Sequence, residues 1–390
     1  MLSRRVSLGF GVRAVGGAAL LWGCPAVAGR AIAANPTGLE LSGGYDPGLD
    51  YLLPEKPDDP AMRESVSMWI SDDAGRFGFP RFCIEAVAGA WENRGVEANI
   101  AFPDGRVLIG SGGFAPAPAK LVQGRAVTLN AGPLTFEVLE PLRRWRMTFD
   151  GDAYETTIAR QVMGEKGGPV RRLRIEVDAV MAVPPWTPGE QAARIGDRAT
   201  ENAVGAVGGH RHEQLFRCSG RFAIDGEMEN AFTGTGLKIR RFGVRNVGEF
   251  PGHCWQSALF PSGRAFGIMA FPPRSDGTPA YSEGYVFDGR RKVYAKLVEA
   301  PWMTEFVAHG GPVDVVLETD EGQTRITGKT HDSTYVAPGA PMFGDWPHDR
   351  DRGLPFHQGG ALYTWGEESA YGMIERSLPV AQMKSEPVMT

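Results

Sequence analysis

The residues best suited to chemistry are two histidines and a glutamate in the segment Gly-His-Arg-His-Glu-Gln, which covers residues 209–214. Short apolar runs separated by turn residues follow, so we predict consecutive β-strands up to residue 255. Alternate side chains of a strand share one face, so His210 and His212 point the same way and Glu213 points to the opposite side. The paired imidazoles could ligate a metal, form a hydrogen-bonded polar pocket or lie on the surface. Because Glu213 faces away from them, we predict no metal site.

Arginines on the next predicted strand could share a cavity with these histidines. Arg240 and Arg245 lie in the segment 234–246, and the sequence His-Cys-Trp at residues 253–255 follows it. An arginine stays protonated at physiological pH, so Arg240 cannot carry a proton as an imidazole does. It can instead bind a carboxylate, enolate or phenolate, or polarise a carbonyl group.

Other catalytic patterns are absent from the sequence or ambiguous. The chain has no G-x-S-x-G motif, no P-loop and no dinucleotide-binding fingerprint, so we predict that it uses no cofactor. Trp255, Trp346 and Trp365 could line an apolar pocket, although core packing is the usual role of a tryptophan. Glu375 could form an ion pair with Arg376, and a proton-donor role for Glu375 would require burial that raises its pKa.

The composition indicates a globular all-β protein. The chain has 390 residues, of which 42% are hydrophobic and 22% charged, and its net charge is -5. This charge disfavours nucleic acid as the main partner, because phosphate binding needs a basic surface. The 52 glycines and 29 prolines lie mostly between short apolar runs, where turns and strand ends need them. No later segment approaches 18 uninterrupted apolar residues, so we predict no stable membrane span.

The strand pattern suggests two similar β domains. Between residues 184 and 208 the alternation stops, and one short helix from Thr187 to Arg198 is predicted, because Thr187 can cap it and Pro188 suits its first turn. We place the domain boundary in this segment. The predicted divisions are an arm or linker at 35–61, an N-terminal β domain at 62–204 and a C-terminal β domain at 205–390.

The first 34 residues differ from the rest of the chain. Ser-Arg-Arg-Val-Ser-Leu at residues 3–8 resembles a twin-arginine export motif, and a weakly apolar run with small-residue cleavage candidates follows it. We predict a signal peptide over residues 1–34 and a periplasmic protein; the alternative is a basic tail on a cytoplasmic protein. The four cysteines form no C-x-x-C pair, so we expect buried thiols.

Together these segments resemble the lipocalin-like superfamily of carotenoid 1,2-hydratase, AttH and hydroxyneurosporene-synthase-like proteins, and more closely its two-domain branch. The features that carry the resemblance are His212-Glu213-Gln214, Gly-x-Gly at 234–236, Gly-x-Arg at 243–245, Trp255, Gly359-Gly360 and the segment 372–376. The resemblance covers about residues 62–380. It implies two consecutive lipocalin-like β-barrel or β-sandwich domains with few helices, an apolar cavity and no redox cofactor.

The most specific motif of this superfamily, Arg-Asp-His-Ser-Trp-Gly-x-Arg, aligns with residues 238–245. Its histidine and tryptophan handle the proton and the cationic intermediate in the hydratases. Here Arg240 is at the histidine position and Phe242 at the tryptophan position, while Gly243 and Arg245 match the glycine and the final arginine of the motif. The resemblance therefore implies the cavity more directly than it implies the hydratase chemistry.

We therefore expect a cofactor-independent hydratase, lyase or isomerase that acts on a hydrophobic small molecule of the terpenoid, steroid or aromatic type. In this hypothesis His212 or Glu213 moves a proton, and Arg240 with Arg245 stabilises negative charge. The residues expected to contact the substrate are His210, Phe242, Trp255, Trp365 and Glu375.

The alternatives are a non-catalytic carrier of an apolar ligand that can bear an acidic group, and a structural protein with a packed interior. A perturbed carboxyl or imidazole inside the largest cavity would favour the enzyme over the carrier. Under either ligand-binding hypothesis, an Arg240→Met substitution is expected to abolish turnover or ligand retention without unfolding the protein.

Overall fold

The computed structural model describes residues 40–197, 209–245, 250–273, 280–307, 309–336 and 353–384. These residues form two β-barrels with two short α-helices, so the predicted all-β fold is confirmed. The predicted signal peptide and Trp346 lie outside the described residues. Within the described part of the chain, no helix is long and apolar enough to span a lipid bilayer.

The first barrel, called barrel 1, is a closed ring of eight antiparallel strands. In order around the ring these are β1 (Met62–Asp72), β2 (Gly78–Val87), β3 (Arg94–Ala101), β4 (Arg106–Ile109), β10 (Arg144–Thr157), β11 (Val170–Met181), β12 (His210–Ile224) and β13 (Asn230–Val244). Pairing of β13 with β1 and of β10 with β11 closes the ring. The short strands beside it are β5 (Gly112–Phe114), β6 (Leu121–Val122), β7 (Arg125–Ala126), β8 (Thr128–Ala131) and β9 (Leu134–Glu140).

The second barrel, called barrel 2, is also a closed ring of eight strands, which follow one another in chain order. They are β14 (His253–Leu259), β15 (Ala265–Phe271), β16 (Tyr281–Phe287), β17 (Lys292–Glu299), β18 (Val315–Thr319), β19 (Gly322–Val336), β20 (Phe356–Trp365) and β21 (Glu368–Ser377). Across the turn at 320–322, Val315 lies opposite Ile326 and Leu317 opposite Thr324.

The division between the barrels differs from the predicted boundary at residues 204 and 205. β12 and β13 come after that boundary, yet β12 pairs with β11 and β13 pairs with β1, so both belong to barrel 1. The barrels divide between Val244 and His253. The irregular segment that suggested a boundary is a long connection within barrel 1, and loss of strand periodicity does not distinguish such a connection from a linker between domains.

The helices are short and lie at connections. They are α1 (Ile158–Val162), α2 (Glu190–Ile195) and single 3₁₀ turns at Pro47–Asp50, Ala88–Ala90 and Val380–Gln382. α2 lies in the predicted helical segment but starts later, with Gly189 as its N-cap. The Thr187 hydroxyl donates to the carbonyl of Arg211 instead of capping the helix. The described part of the arm, residues 40–61, packs against barrel 1 with Asp50 fully buried.

Two strands of barrel 1 differ in what covers their outer faces. In β11 burial alternates, since every second residue from Leu173 to Met181 is buried and those between are more exposed. β1 is instead buried on both faces. Val66 packs in the barrel 1 core, whereas Trp69 packs against Trp255 of barrel 2, with ring centroids 5.0 Å apart. β1 therefore lies where the two barrels meet.

Candidate functional site

The interior of barrel 1 contains a buried polar network that ties down the arm. Asp50, at the end of the 3₁₀ turn Pro47–Asp50, accepts hydrogen bonds from Nζ of Lys238 at 2.5 Å and from Nε1 of Trp145 at 2.8 Å. Nε2 of His212 lies 3.0 Å from the same carboxylate. Burial lowers the pKa of His212 to about 4, and its contact with Asp50 offsets this only in part. The imidazole is therefore neutral at pH 7.

Arg240 belongs to this same network. Its guanidinium donates to Oε1 of Glu64 at 2.6 Å and to the carbonyl of Tyr51 at 2.9 Å. Glu64 also accepts a hydrogen bond from the backbone N–H of Leu53, at 2.7 Å. We call Asp50, Glu64, His212, Lys238 and Arg240 the interior network. It joins strands of barrel 1 to two backbone groups and one carboxylate of the arm.

His210 and Phe242 complete the inward-facing group. The ring of His210 lies 4.7 Å from that of Phe242 and 5.8 Å from that of His212, which confirms that the two histidines share a face. Nδ1 of His212 and Nε of Arg240 have no hydrogen-bond partner among the described residues.

A second polar surface lies on the outer face of barrel 1, where barrel 2 packs against it. Five neighbouring strands, β3, β2, β1, β13 and β12, align their outward-facing residues in two rows. The first row contains Glu97, Cys83, Ser67, Ile239 and Glu213. The second row contains Gly95, Glu85, Ser65, Arg241 and Arg211. We call these two rows the polar floor. Short side chains occupy its middle, and charged groups stand on both flanks.

Barrel 2 covers the Glu213 flank of the polar floor with an aromatic side chain. Nε1 of Trp255 donates to Oε2 of Glu213 at 3.1 Å, and the guanidinium of Arg211 lies 4.6 Å from the centre of the Trp255 ring. Arg211 also contacts Oε1 of Glu213 at 2.5 Å. Burial raises the pKa of Glu213, and Arg211 and Trp255 only partly oppose this effect.

Arg81 joins the other flank of the polar floor to barrel 2. Its guanidinium lies 3.0 Å from Glu97, 3.8 Å from Glu85 and 3.8 Å from Glu375 of β21. Its backbone φ is +70°, a left-handed conformation that costs energy for a residue other than glycine. The guanidinium of Arg81 therefore lies within 4 Å of three carboxyl groups, and the backbone of Arg81 itself is strained.

The carboxyl groups around Arg81 have pKa values displaced in opposite directions. Burial raises the pKa of Glu97, and Arg81 offsets only part of that rise. Burial also acts to raise the pKa of Glu375, but contacts with His253, Arg81 and Gln358 outweigh it and hold that pKa at about 2. Glu97 is thus the group that keeps a proton to higher pH, while Glu375 stays ionised.

Hydrogen bonds within barrel 2 fix Glu375 in place. Nε2 of His253 lies 2.9 Å from Oε1 of Glu375, and Nε2 of Gln358 donates to Oε2 at 2.8 Å. Nδ1 of His253 lies 2.6 Å from the hydroxyl of Ser377. A proton-donor role for Glu375 required a raised pKa, and these contacts lower it.

Solvent reaches the polar floor beside Glu97. A crevice of about 200 Å³ is lined by Glu97, Tyr154 of β10 and Tyr335 of β19, so it lies between the barrels. The Glu97 side chain is 38% exposed, although protein surrounds it closely enough to raise its pKa. A small molecule in the crevice could therefore contact this carboxyl group.

Sequence comparison identifies the family. The model for Domain of unknown function (DUF7064) matches residues 50–378. The chain belongs to this family. A search of curated proteins finds no match to this DUF7064 chain.

Two solved structures, of an AttH-like protein and of CghA, share the fold and thereby confirm the fold that the lipocalin-like resemblance implied. An AttH-like protein from Nitrosomonas europaea is 14% identical, with a TM-score of 0.52, and the match covers 85% of the DUF7064 chain and 99% of the other. CghA with Sch210972 is 10% identical, with a TM-score of 0.51, over 87% and 96% of the two chains. Kievitone hydratase from Nectria haematococca is 9% identical, with a TM-score of 0.44, over 87% and 96%.

The DUF7064 structure separates the residues that the sequence put forward for one cavity. Inside barrel 1 lie His210, His212, Arg240 and Phe242. At the interface between the barrels lie Glu213, Arg245, Trp255 and Glu375, and Arg245 contacts Glu85 at 3.4 Å. Trp365 lies apart from both groups, at the end of β20, where Arg264 packs on its ring. The cavity shared by His212 and Arg245 therefore does not exist.

Sequence reasoning missed Arg81 and three residues of the polar floor, Glu85, Glu97 and Arg241. The available signal was the alternation of side chains along a strand. It places Arg241 on the same face as Ile239 and on the opposite face from Arg240. Among the described residues, no cluster of three or more histidine, cysteine, aspartate or glutamate side chains is arranged to hold a metal ion. Cys83, Cys218 and Cys254 are buried free thiols, as expected.

Proposed function

We propose that the polar floor and the barrel 2 residues above it form the active site of a cofactor-independent hydratase, lyase or isomerase for a hydrophobic small molecule. The observation that carries the proposal is the arrangement around Arg81. Two carboxyl groups with oppositely displaced pKa values, Glu97 and Glu375, flank one guanidinium beside an accessible crevice. Such pairs are typical of sites that divide acid and base roles between two groups.

Glu97 is the proton donor in this proposal. Transfer of its proton to one carbon of a C=C bond leaves a carbocation on the substrate and a carboxylate on Glu97. Arg81, 3.0 Å from that carboxylate, stabilises the new negative charge. Return of a neighbouring substrate proton to Glu97 gives an isomer. Addition of water to the cation, with loss of one water proton to the Glu97 carboxylate, gives an alcohol. Neither route requires an electron acceptor.

Aromatic side chains suit the cationic intermediate. Tyr154 and Tyr335 line the crevice beside Glu97, and aromatic faces attract positive charge. CghA, which shares this fold, holds the small molecule Sch210972 in its own structure. This supports a small-molecule site in the fold and leaves the chemistry to the residues of this chain.

Isotope incorporation tests the proposed reaction. The protein is incubated in D₂O, and separately in H₂¹⁸O, with a panel of terpenoid, steroid and aromatic alkenes, and each compound is analysed by mass spectrometry. A substrate gains carbon-bound deuterium, and a hydrated product also gains ¹⁸O. Glu97→Gln is expected to lower the rate of deuterium gain about 100-fold, the range of one general acid.

The matched control is Glu92→Gln, which changes an exposed glutamate in the turn before β3. It is expected to leave the rate of deuterium gain unchanged. Equal rates for Glu97→Gln and the unmodified protein would exclude Glu97 as the donor. Retention of a compound without deuterium gain would exclude the enzyme hypothesis for that compound.

A carrier is the second candidate function, because several polar groups near the floor already have protein partners. Glu375 is bonded to His253 and Gln358, and Glu213 to Trp255. Groups held in this way can shape a binding site without moving protons. Native mass spectrometry that finds a co-purified apolar compound, unchanged after long incubation in D₂O, would favour the carrier.

A further inference from the structure

The wall of barrel 2 opens between β16 and β17. These strands pair from Gly284, opposite Ala295, to Phe287, opposite Lys292. Beyond Gly284 the ladder ends, and the hydroxyl of Ser282 donates to the carbonyl of Leu297 at 3.3 Å. The strands therefore diverge at this end, and a side chain spans part of the gap.

A pocket of about 480 Å³ occupies this gap, and we call it the side pocket. Its residues come from β15, β16, β17, the segment after β17 and α2. Its small and aromatic lining residues include Ala270, Ala280, Ala300, Phe271, Tyr281 and Trp302. The alanines leave space and the aromatic residues supply flat apolar walls. The volume lies within the range of about 300–1,000 Å³ that is usual for small-molecule sites.

α2 is fixed over the side pocket by a carboxylate. Glu283 of β16 accepts hydrogen bonds from the backbone N–H of Gly189 at 2.7 Å and of Ala192 at 2.8 Å. Both oxygens of the Glu283 carboxylate are therefore bonded to the N-terminal end of α2. Ala192 and Ile195 of α2 line the pocket, so this contact supplies one of its walls.

The rim of the side pocket exposes apolar side chains. Ile195 is 73% exposed and Val298 is 47% exposed, and both line the pocket. The charged residues at the rim, Lys296 and Asp197, have opposite signs. The polar floor, in contrast, concentrates arginine and glutamate side chains, and none of its residues lines the side pocket.

We propose that the side pocket binds an uncharged, mostly hydrocarbon small molecule, at a site separate from the polar floor. Binding would cover the exposed Ile195 and Val298 and would place the ligand against Trp302. An ionic ligand is disfavoured because the rim charges of Lys296 and Asp197 have opposite signs, and because the Glu283 carboxylate is already hydrogen-bonded to α2.

Fluorescence with the neutral dye N-phenyl-naphthylamine tests this site in the full chain. The variant Ile195→Gln/Val298→Gln removes the apolar rim at two exposed positions, so the fold should be preserved. We expect it to weaken dye binding about tenfold, as loss of apolar contact from two side chains predicts. The matched control is Val170→Gln, which changes a residue of barrel 1 that is 66% exposed, and should leave dye affinity unchanged.

Two further variants locate the dye. Trp302→Phe should reduce energy transfer from tryptophan to the bound dye while the affinity, measured from dye emission, changes little. Glu97→Gln should leave both quantities unchanged. Absence of dye binding, equal affinity in the rim variant, or loss of affinity in Glu97→Gln would overturn the proposal. The isotope test of the polar floor does not depend on any of these outcomes.

Discussion

The same strands of barrel 1 carry the interior network on one face and the polar floor on the other, with similar residue types in different arrangements. In the interior, cations and carboxylates form pairs, Lys238 with Asp50 and Arg240 with Glu64. On the floor, Glu85 is approached by Arg241 at 2.8 Å, Arg245 at 3.4 Å and Arg81 at 3.8 Å.

This difference distinguishes the anchoring of the arm, in the interior network, from the proton transfer that we propose at the polar floor. One-to-one pairs in a buried site hold one geometry, and here they fix the arm on barrel 1. The guanidinium of Arg81 is shared by Glu97, Glu85 and Glu375, so its contacts can shift among them when one loses or gains a proton, as the proposed proton transfer requires. Residue type alone would assign both faces the same role.

The largest loss of stability is expected from Asp50→Ala. It removes the carboxylate that serves Lys238, His212 and Trp145, and it leaves Lys238 buried without its ion-pair partner. The free energy of unfolding should fall by about 3–5 kcal/mol, measured by urea titration. Asp58→Ala, at an exposed aspartate of the arm, is the control and should change it by less than about 0.5 kcal/mol. Similar losses in both variants would contradict the anchoring role.

Two adjacent arginines on opposite faces of β13 sharpen the comparison. Arg240→Met should lower the free energy of unfolding by about 3 kcal/mol, because Glu64 loses its cation. Arg241→Met should lower it by only about 1 kcal/mol, because Arg245 and Arg81 remain beside Glu85. Denaturant titration measures both.

Deuterium gain should show the opposite order, with Arg241→Met slower than Arg240→Met when rates are normalised to folded protein. This revises the expectation drawn from the sequence, in which Arg240→Met removes function without unfolding the protein. Greater instability of Arg241→Met would reverse the roles assigned to the two faces.

A smaller effect distinguishes two buried aspartates. Asp50 has Lys238 beside it, whereas the Asp332 carboxyl of β19 accepts a backbone hydrogen bond from Gly360 at 3.1 Å, and burial raises its pKa to about 7. A carboxyl group with a raised folded pKa stabilises the protein fully below its unfolded pKa, and this stability is lost as pH rises toward the folded value.

Asp332 should therefore lower the free energy of unfolding by about 2 kcal/mol between pH 5 and pH 7. Asp332→Asn removes this dependence, so the variant should gain stability relative to the unmodified protein as pH rises. Urea titrations at several pH values measure the difference between the two proteins. A difference that stays constant with pH would show that the Asp332 carboxyl is ionised in the folded protein.

Much of the fold could be predicted from sequence because its strands alternate clearly. The residues of β11 and the pairing of β18 with β19 follow directly from period-two patterns and turn residues. The domain boundary did not follow, because the ring of barrel 1 is completed by strands that come after a long irregular connection.

The site could be predicted only in part. Alternation tells which residues share a face, and it correctly grouped His210 with His212. It cannot tell which face points inward when both are buried, as they are in β13. Arg240 was therefore named from the sequence and Arg241, whose face of β13 is covered by barrel 2, was missed. Arg81 lacked a sequence signal, because its position depends on a bulge and a left-handed backbone.

The closure of barrel 1 by β13 has a consequence for synthesis of the chain. Met62 pairs with Val244 and Asp72 with Gly234, so one edge of β1 has no partner strand until residues 73–229 have been synthesised and β13 follows them. At the usual ~5–20 residues per second this takes roughly 10–30 seconds. During that interval β1 presents unpaired N–H and C=O groups next to apolar side chains. In barrel 2 the corresponding strand is β14, whose closing partner β21 follows after the shorter segment 260–367. We therefore expect the nascent chain to need protection from aggregation at the edge of β1 more than at the edge of β14.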